Sequence, residues 1–252
     1  MTEQVDRAVE AWLRALELCA EALPGGFHRR GPGGTAELLT GLPVPTVNGV
    51  IQCGSVLDLA ELAAFAESPR LVDRPWSIQV RDAASAAAVA GIAADHKLDQ
   101  STTLPFMLTD LTERDADPPA GATVRRVSGA ERDLYRRALA AGFEAPEFIF
   151  DGFSSPAILD HPAMAAYVVE VAGEVVATSF GVLVGDLVGV FNIAVPPAHR
   201  RRGYGRLATD AVLRDAYPAG ARTAFLHSSP MGEPLYAAMG FRTAETWTVY
   251  TA

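Results

Sequence analysis

The stretch from Val195 to Leu207, which reads VPPAHRRRGYGRL, decides how the second half of the chain folds. Apolar residues crowd the segment 187–195 before it and predict a β-strand, which Pro196 and Pro197 end. Apolar residues at helical spacing after it predict a helix from about Gly203 to Ala216. A strand, a tight loop and the N-terminus of a helix therefore follow one another here.

The loop between this strand and this helix has the chemistry of an anion site. Gly203 and Gly205 have no Cβ, so the backbone can approach a ligand closely. The first N–H groups of a helix have no partner within it, and the helix dipole favours negative charge at that end. The cluster Arg200, Arg201, Arg202 and Arg206 adds positive charge to an otherwise acidic chain. The pattern indicates pyrophosphate binding, and a charged helix cap in an ordinary surface loop is the alternative.

The elements around this loop predict a mixed sheet. Strands over 166–171, 174–184 and 187–195, joined by short turns, predict an antiparallel meander. After the helix at 203–216 come a strand at 222–227, a short helix at 233–239 and a strand at 246–251. A strand–helix–strand order predicts a parallel crossover. Upstream, a strand at 123–127 and a helix at 129–141 precede an irregular segment, 144–162.

The first half predicts a smaller α/β domain. An amphipathic helix covers the first 25 residues, and a loop follows at 29–34. Strands are predicted at 46–53, 75–81 and 103–109, the last broken at Pro105. Helices are predicted at 58–67, capped by Ser55, and from Asp82 to His96. The charged and Pro-rich segment 112–121 is the predicted linker, which sets the domains at 1–118 and 119–252.

Composition excludes several classes of protein. The chain has 252 residues, of which 49% are hydrophobic and 20% charged, as in soluble globular proteins. The net charge of -9, concentrated in residues 1–118, argues against nucleic-acid binding. No apolar stretch is long enough to span a membrane, and the N-terminus lacks a secretory signal. The two cysteines and five histidines lack metal-ligand spacing. We therefore expect a cytoplasmic protein without metal, nucleic-acid or membrane partners, and homodimerisation stays open.

Two motifs in the second half carry a family resemblance. Arg200-x-x-Gly203-x-Gly205 resembles the acyl-CoA signature of the GNAT superfamily of N-acetyltransferases, and Leu235-Tyr236-x-x-x-Gly240-Phe241 resembles its second signature. Their spacing and the order of elements over 122–252 also fit. The resemblance implies an α/β (α+β) GNAT fold, a mixed central sheet flanked by helices, with a splay between the family's fourth and fifth strands. The first half has no intact signature, and a degenerate GNAT-like domain is one interpretation of it.

The resemblance also implies an activity. A GNAT acyltransferase moves the acetyl group of its co-substrate acetyl-CoA to a primary amine of a small molecule or peptide, by direct attack on the thioester. One N–H near Ile193 would face the thioester oxygen, the backbone of 193–195 would pair with the pantetheine arm, and Tyr236 would act as general acid. The cofactor contacts that the resemblance implies are Ile193, Ala194, Val195, Arg200, Arg201, Arg202, Gly203, Tyr204, Gly205, Arg206, Ser229 and Tyr236.

Two positions depart from the family pattern and leave the general base open. Ser229 stands where the family often has Asn, and Gly189 where some members have a catalytic Glu. The remaining catalytic candidates are Asn192, Glu144 and His227, with Glu147 and Asp151 in the same irregular segment as Glu144. A catalytically silent acyl-CoA-binding regulatory or interaction module is the alternative function. We also expect residues 1–118 to wall one side of the acceptor cleft, with negative charge that suits a cationic amine.

Overall fold

The structure is a computed structural model that describes residues 2–113 and 121–252. It contains seven α-helices and eleven strands within these ranges. The helices are α1 (Thr2–Ala22), α2 (Leu59–Ala66), α3 (Ala83–Asp95), α4 (Arg132–Phe143), α5 (Pro156–Leu159), α6 (Tyr204–Ala216) and α7 (Glu233–Ala238). The strands are β1 (Phe27–Arg30), β2 (Thr35–Leu39), β3 (Asn48–Gln52), β4 (Ser77–Val80), β5 (Gln100–Asp110), β6 (Ala122–Val127), β7 (Met164–Val171), β8 (Glu174–Val184), β9 (Leu187–Ala194), β10 (Thr223–His227) and β11 (Arg242–Thr251).

The chain forms two compact units, and each unit contains more than one segment of the sequence. The first unit contains the chain up to Met107 together with His227–Met231 and Thr243–Ala252. The second contains Leu108–Leu226 and Gly232–Arg242. The predicted domain boundary at 118/119, and most of the predicted linker 112–121, lie outside the described residues.

The first unit is a meander followed by a parallel crossover. Strands β1, β2 and β3 pair antiparallel, helix α2 follows, and β4 returns parallel to β3. Strand β11 pairs antiparallel with β4. The core lies between these strands and helices α2 and α3, where Leu62, Ile78 and Val89 are completely buried.

The second unit repeats this plan with longer strands. Strands β6, β7, β8 and β9 pair antiparallel in sequence, helix α6 follows, and β10 returns parallel to β9. This confirms the predicted meander and the predicted parallel crossover. Part of its core packs β7 and β8 against α6, with Val169, Ala177 and Ala208 completely buried.

Three local predictions for the first half are wrong. Residues 29 and 30 belong to β1 and not to a loop, because Arg29 and Arg30 pair with β2. The cap of α2 is Asp58 and not Ser55, because the Asp58 side chain accepts the N–H of Glu61. Strand β5 is continuous through Pro105.

Candidate functional site

The loop that follows β9 bends through two left-handed residues before α6 begins. Arg201 has a φ of 64° and Gly203 a φ of 85°, and Gly203 is the N-cap residue of α6. A Cβ at Gly203 would meet no atom within 4 Å, so the glycine is needed for its backbone conformation and not for space. The turn presents the first backbone N–H groups of α6 at the end of β9.

The electrostatics of this turn suit an anion such as the pyrophosphate of coenzyme A. The first turn of α6 contains no acidic residue. Arg201, Arg202 and Arg206 are exposed, and the Arg206 Nε lies 3.8 Å from Asp210 Oδ2 in a long ion pair. The arginine side chains, the first N–H groups of the helix and the helix dipole all attract an anion to the N-terminus of α6.

Gly205 brings the two signature motifs together, and its role differs from the one predicted for close approach of a ligand. A Cβ at Gly205 would lie 3.3 Å from Cδ2 of Leu235 and 3.6 Å from Cγ2 of Val195. The missing side chain therefore faces protein atoms, and its absence allows α6 to pack closely against β9 and α7.

Arg200 holds the end of β9 against the end of α4. Its Nε donates to the Val195 oxygen at 3.0 Å, and its Nη2 donates to the Gly142 oxygen at 3.2 Å and to Glu144 Oε1 at 2.6 Å. The ends of α4 and β9 lie so close together that only glycine fits at residue 142. A Cβ there would lie 2.6 Å from the Ala194 Cβ. Glu144 is therefore the ion-pair partner of Arg200 in the contact between α4 and β9. Gly142, which allows this contact, is a residue that the sequence analysis did not identify.

The other carboxylates predicted near the acceptor are also paired with arginine. Arg136 lies 3.2 Å from Glu147 Oε2 and 3.1 Å from Asp151 Oδ1. The positive charge of Arg136 therefore offsets part of the negative potential that these carboxylates would offer to an acceptor.

A β-bulge interrupts β9 next to the signature loop. In the pairing of β8 with β9, Thr178 faces Ala194 and Phe180 faces Phe191, so Asn192 and Ile193 lie opposite Ser179 alone. Asn192 adopts a left-handed φ of 52°, a conformation that Asn tolerates better than most residues. The recorded pairing of β9 with β10 ends at Gly189. The bulge and the end of this pairing fit the splay that the resemblance implies.

The position where some relatives have a catalytic Glu is filled by aromatic rings. A Cβ at Gly189 would lie 2.5 Å from Cε2 of Phe191 and 2.8 Å from the ring of Phe225. These two rings meet edge to face, with their centroids 6.3 Å apart. No carboxylate side chain fits at residue 189 unless the rings move.

Tyr236 lies on α7, directly after the Leu235 that contacts Gly205. Its side chain is buried, and burial raises the pKa of its hydroxyl to about 12. Its ring packs edge to face against Phe241, with the centroids 5.9 Å apart. A tyrosine is protonated at neutral pH in either environment, and the raised pKa makes the Tyr236 hydroxyl a weaker acid than an exposed one.

His227 and Ser229 belong to the first unit. The imidazole of His227 is enclosed by Trp12, Phe106 and Trp247, with ring centroids 4.9–5.1 Å away. Its Nε2 is buried with no hydrogen-bond partner in the described part of the chain, and burial lowers its pKa to about 3. So weak a base does not accept a proton from an ammonium group, which removes His227 from the candidate bases.

Ser229 is exposed, and its backbone oxygen accepts the Ser228 hydroxyl at 2.8 Å. Its predicted cofactor contact stays a prediction.

The first unit has a topological counterpart of the loop before α6, and carboxylates occupy it. It lies between β3 and α2, where Asp58 accepts the N–H of Glu61 at 2.9 Å. Glu61 in turn accepts the N–H groups of Gly33 at 2.8 Å and Thr35 at 2.9 Å. A Cβ at Gly31 would clash with the Glu61 carboxylate. Asp58 therefore takes one of the helix N–H groups that a bound phosphate would need, and Glu61 adds a second negative charge beside it.

Residues 2–113 and 121–252 contain neither a candidate metal site nor a candidate membrane-spanning helix. No cluster of three or more His, Cys, Asp or Glu side chains in these ranges could hold a metal ion. None of the helices there combines the length and apolarity of a membrane-spanning segment.

Comparison with known proteins gives a domain match for part of the chain and a fold match for most of it. Residues 162–243 match the model of the acetyltransferase (GNAT) domain. No curated protein matches the sequence significantly. Three solved structures are similar over most of the chain, and their identities of 12–21% bear on the fold alone.

The first is a GCN5-related N-acetyltransferase from Kribbella flavida, with 21% identity, a TM-score of 0.67, and coverage of 98% of this chain and 94% of that one. A conserved protein of unknown function from Staphylococcus epidermidis has 12% identity and a TM-score of 0.61, covering 90% and 94%. A GCN5-related N-acetyltransferase from Sphaerobacter thermophilus has 15% identity and a TM-score of 0.57, covering 87% and 80%. Residues 162–243 thus match a GNAT acetyltransferase domain, and nearly the whole chain has a GNAT-like mixed α/β fold.

Proposed function

We propose that the second unit binds acetyl-CoA at the N-terminus of α6 and transfers the acetyl group to a primary amine of a small molecule or peptide. The observation that carries this proposal is the arrangement at the end of β9. A bulge at Asn192, a left-handed turn at Arg201 and Gly203, and the contact of Gly205 with Leu235 meet within one strand–loop–helix unit.

The binding roles follow from this geometry. The backbone N–H groups of residues 204–206 would hold the pyrophosphate, and the exposed arginines Arg201, Arg202 and Arg206 would attract it. The backbone of 193–195 would pair with the pantetheine arm. Arg200 would act indirectly, because its guanidinium is already bonded to Val195, Gly142 and Glu144.

The chemistry needs a neutral amine and a protonated leaving group. Acetyl-CoA supplies an acetyl group activated as a thioester. An alkyl amine with a pKa of about 10.4 needs roughly 4–5 kcal/mol to lose its proton at pH 7. The aromatic filling at Gly189 and the ion pairs of Glu144, Glu147 and Asp151 favour a reaction without a carboxylate base. We propose that the neutral fraction of the amine reacts and that Asn192 only hydrogen-bonds to it.

Tyr236 would be the general acid that protonates the departing sulfur. Burial raises the pKa of its hydroxyl to about 12, so Tyr236 is a hydrogen-bond donor to the developing thiolate and a weaker acid than an exposed tyrosine. As the nitrogen–carbon bond forms and the carbon–sulfur bond breaks, Tyr236 would give its proton to the sulfur and regain one from the attacking nitrogen, which leaves the amide and the thiol. A backbone N–H at the bulge, aimed at the thioester oxygen, would contribute roughly 3 kcal/mol more.

Calorimetric titration of the full chain with acetyl-CoA and with coenzyme A tests the binding half of the proposal. We expect one site per chain, because Asp58 and Glu61 fill the counterpart in the first unit. No binding of either ligand would refute the proposal, and two equivalent sites would refute the assignment of the first unit. Thiol release in the presence of a panel of amines tests the transfer.

A second candidate function is a catalytically silent acyl-CoA-binding module with a regulatory or interaction role. The packing of Phe191 and Phe225 at Gly189 favours it, because it removes the place for a base. Tight binding of acetyl-CoA without accelerated thiol release for any amine would support this alternative. The acidic composition also argues against a nucleic-acid partner, and we retain the cytoplasmic location and the absence of a membrane partner as proposals.

A further inference from the structure

Aromatic rings line the face of the sheet that packs against α4, directly beside the bulge. Phe191 of β9 lies opposite Phe180 of β8, with ring centroids 6.5 Å apart, and it meets the Phe225 ring edge to face. Phe191 and Ala194 pair with β8 residues two positions apart, so their side chains share the face on which Gly142 of α4 meets Ala194. Phe180 and Phe225 are buried, whereas Phe191 is only half-buried and leaves part of its ring accessible.

More aromatic surface is exposed where α4 ends. Phe143 is the last residue of α4, next to the Gly142 that lies against β9, and 47% of its surface is exposed. Its ring stacks on Phe150, with the centroids 5.5 Å apart and the planes at 20°. Phe148, two positions before Phe150, is 62% exposed. Exposed apolar side chains that lie together mark a binding surface, and aromatic rings favour an aromatic ligand.

The carboxylates of the same segment are each paired with an arginine. Glu144 Oε1 lies 2.6 Å from Arg200 Nη2. Arg136 lies 3.2 Å from Glu147 Oε2 and 3.1 Å from Asp151 Oδ1. A cationic acceptor would therefore meet carboxylates whose charge is already offset in part, whereas a neutral aromatic acceptor would meet exposed rings.

We propose that the acceptor is a weakly basic aryl amine, whose ring packs on Phe143 and Phe191 while its amino group reaches the thioester at the bulge. The inference rests on the proposed function and names the substrate class of that same site. An aryl amine is neutral at pH 7 because its lone pair is delocalised into the ring, whereas an alkyl amine with a pKa of about 10.4 is neutral in only about one molecule in 2,500. An aryl amine therefore needs no base at Gly189, where Phe191 and Phe225 leave no space for a carboxylate.

The transfer step balances with this acceptor. The nitrogen lone pair forms the bond to the acetyl carbon, and the electron pair of the carbon–sulfur bond leaves with the sulfur. Tyr236 gives its proton to the sulfur and regains one from the nitrogen, so the products are the N-aryl acetamide and coenzyme A as the free thiol.

Four small amines separate the effect of the ring from the effect of basicity. Aniline has an aromatic ring and is weakly basic, benzylamine has the ring and is strongly basic, cyclohexylamine is strongly basic without aromaticity, and methoxyamine is weakly basic without a ring. Thiol release from acetyl-CoA by the full chain at pH 7 gives kcat/KM for each amine. We expect aniline to exceed methoxyamine, and benzylamine to exceed cyclohexylamine, by about three- to tenfold in each case, the effect of one aromatic contact. Aniline should exceed cyclohexylamine by more than either factor.

A binding measurement tests the aromatic surface without turnover. Saturation-transfer NMR of aniline with the full chain and coenzyme A gives the dissociation constant of the amine. Phe143→Leu keeps an apolar side chain and removes the ring, so this constant should rise about three- to tenfold, while that of coenzyme A stays within about twofold of wild type. Phe27→Leu, at a half-buried ring of β1 that Arg70 covers, is the matched control and should change neither constant.

The outcomes separate this inference from the proposed function. Thiol release with cyclohexylamine that equals or exceeds that with aniline overturns the inference and leaves the proposed transfer standing. No thiol release with any of the four amines counts against the proposed transfer, and the binding measurement then decides the inference by itself. Aniline that does not bind, or that binds wild type and Phe143→Leu equally, overturns it. If Phe143→Leu does not fold, Phe191→Leu must show the same selective loss for aniline.

Discussion

At the scale of single residues, burial determines which groups can take part in chemistry. Tyr236→Phe should reduce turnover about 10²-fold or more, because the ring and its packing on Phe241 remain while the proton donor is lost. Calorimetry should show unchanged affinity for coenzyme A. Thiol release with an accepted amine measures the effect, and Tyr217→Phe, at a half-buried tyrosine under Arg222, is the control. Turnover within a factor of two of wild type would show that the hydroxyl is dispensable.

The buried His227 predicts a specific loss of stability in acid. Its pKa is lowered to about 3 in the folded protein, from the ordinary value of 6.5. Below pH 6.5 the unfolded chain therefore binds a proton that the folded protein does not, and stability falls until about pH 3. The loss is about 1.4 kcal/mol per pH unit.

His227→Phe should remove this part of the acid dependence and leave stability at pH 7 equal or higher, because an unsatisfied buried nitrogen disappears. Urea unfolding at pH 7 and pH 5 measures the difference between wild type and variant. His96→Phe, at a partly exposed ring against Trp76, is the control and should keep the wild-type acid dependence. An equal decrease in wild type and His227→Phe would contradict the assignment.

At the scale of elements, Gly205 and Gly203 are required for different reasons, the first for close packing and the second for its left-handed backbone. Gly205→Val should lower the melting temperature clearly, because the new side chain meets Leu235 and Val195 and separates α6 from α7 and β9. Gly203→Ala meets no atom and should lose only about 1–2 kcal/mol for its left-handed backbone, with weaker coenzyme A binding as the turn relaxes. Thermal unfolding and calorimetry on both variants test this. Wild-type stability of Gly205→Val with abolished binding would mean that residue 205 faces the ligand.

At the scale of the whole molecule, the end of the chain belongs to the first compact unit. Trp247 of β11 is completely buried and packs on Trp12 and Phe106, with ring centroids 5.1 and 5.8 Å away. Arg81 binds Asp6 and Glu245, and Glu245 accepts the indole N–H of Trp247 at 2.9 Å. Residues separated by more than 150 positions in sequence therefore complete one core.

A fragment of residues 119–252 should accordingly aggregate or unfold, because Trp247 and His227 would lose Trp12 and Phe106. Size-exclusion chromatography and thermal unfolding measure this. Trp12→Ala in the full chain is the matched comparison, with an expected loss of about 3–5 kcal/mol. A soluble, monomeric fragment that unfolds cooperatively would contradict this account.

Local sequence signals determined much of the second unit. The period-two pattern and short turns predicted β7, β8 and β9, and Pro196, Gly203 and the helical spacing predicted the loop and α6, because each signal acts between near neighbours in the chain. The two signatures identified the GNAT domain before any geometry was known. In the first unit, Asp82 marked the start of α3 for the same reason.

Only the tertiary structure decided what surrounds each candidate residue. Glu144 has an ordinary sequence context, and its partner Arg200 lies 56 positions away. The filling of Gly189 by Phe225, the contact of Gly205 with Leu235 and the aromatic enclosure of His227 likewise depend on distant chain segments. Burial and pairing of this kind are long-range quantities, and they set the pKa and the role of a side chain whatever motif contains it.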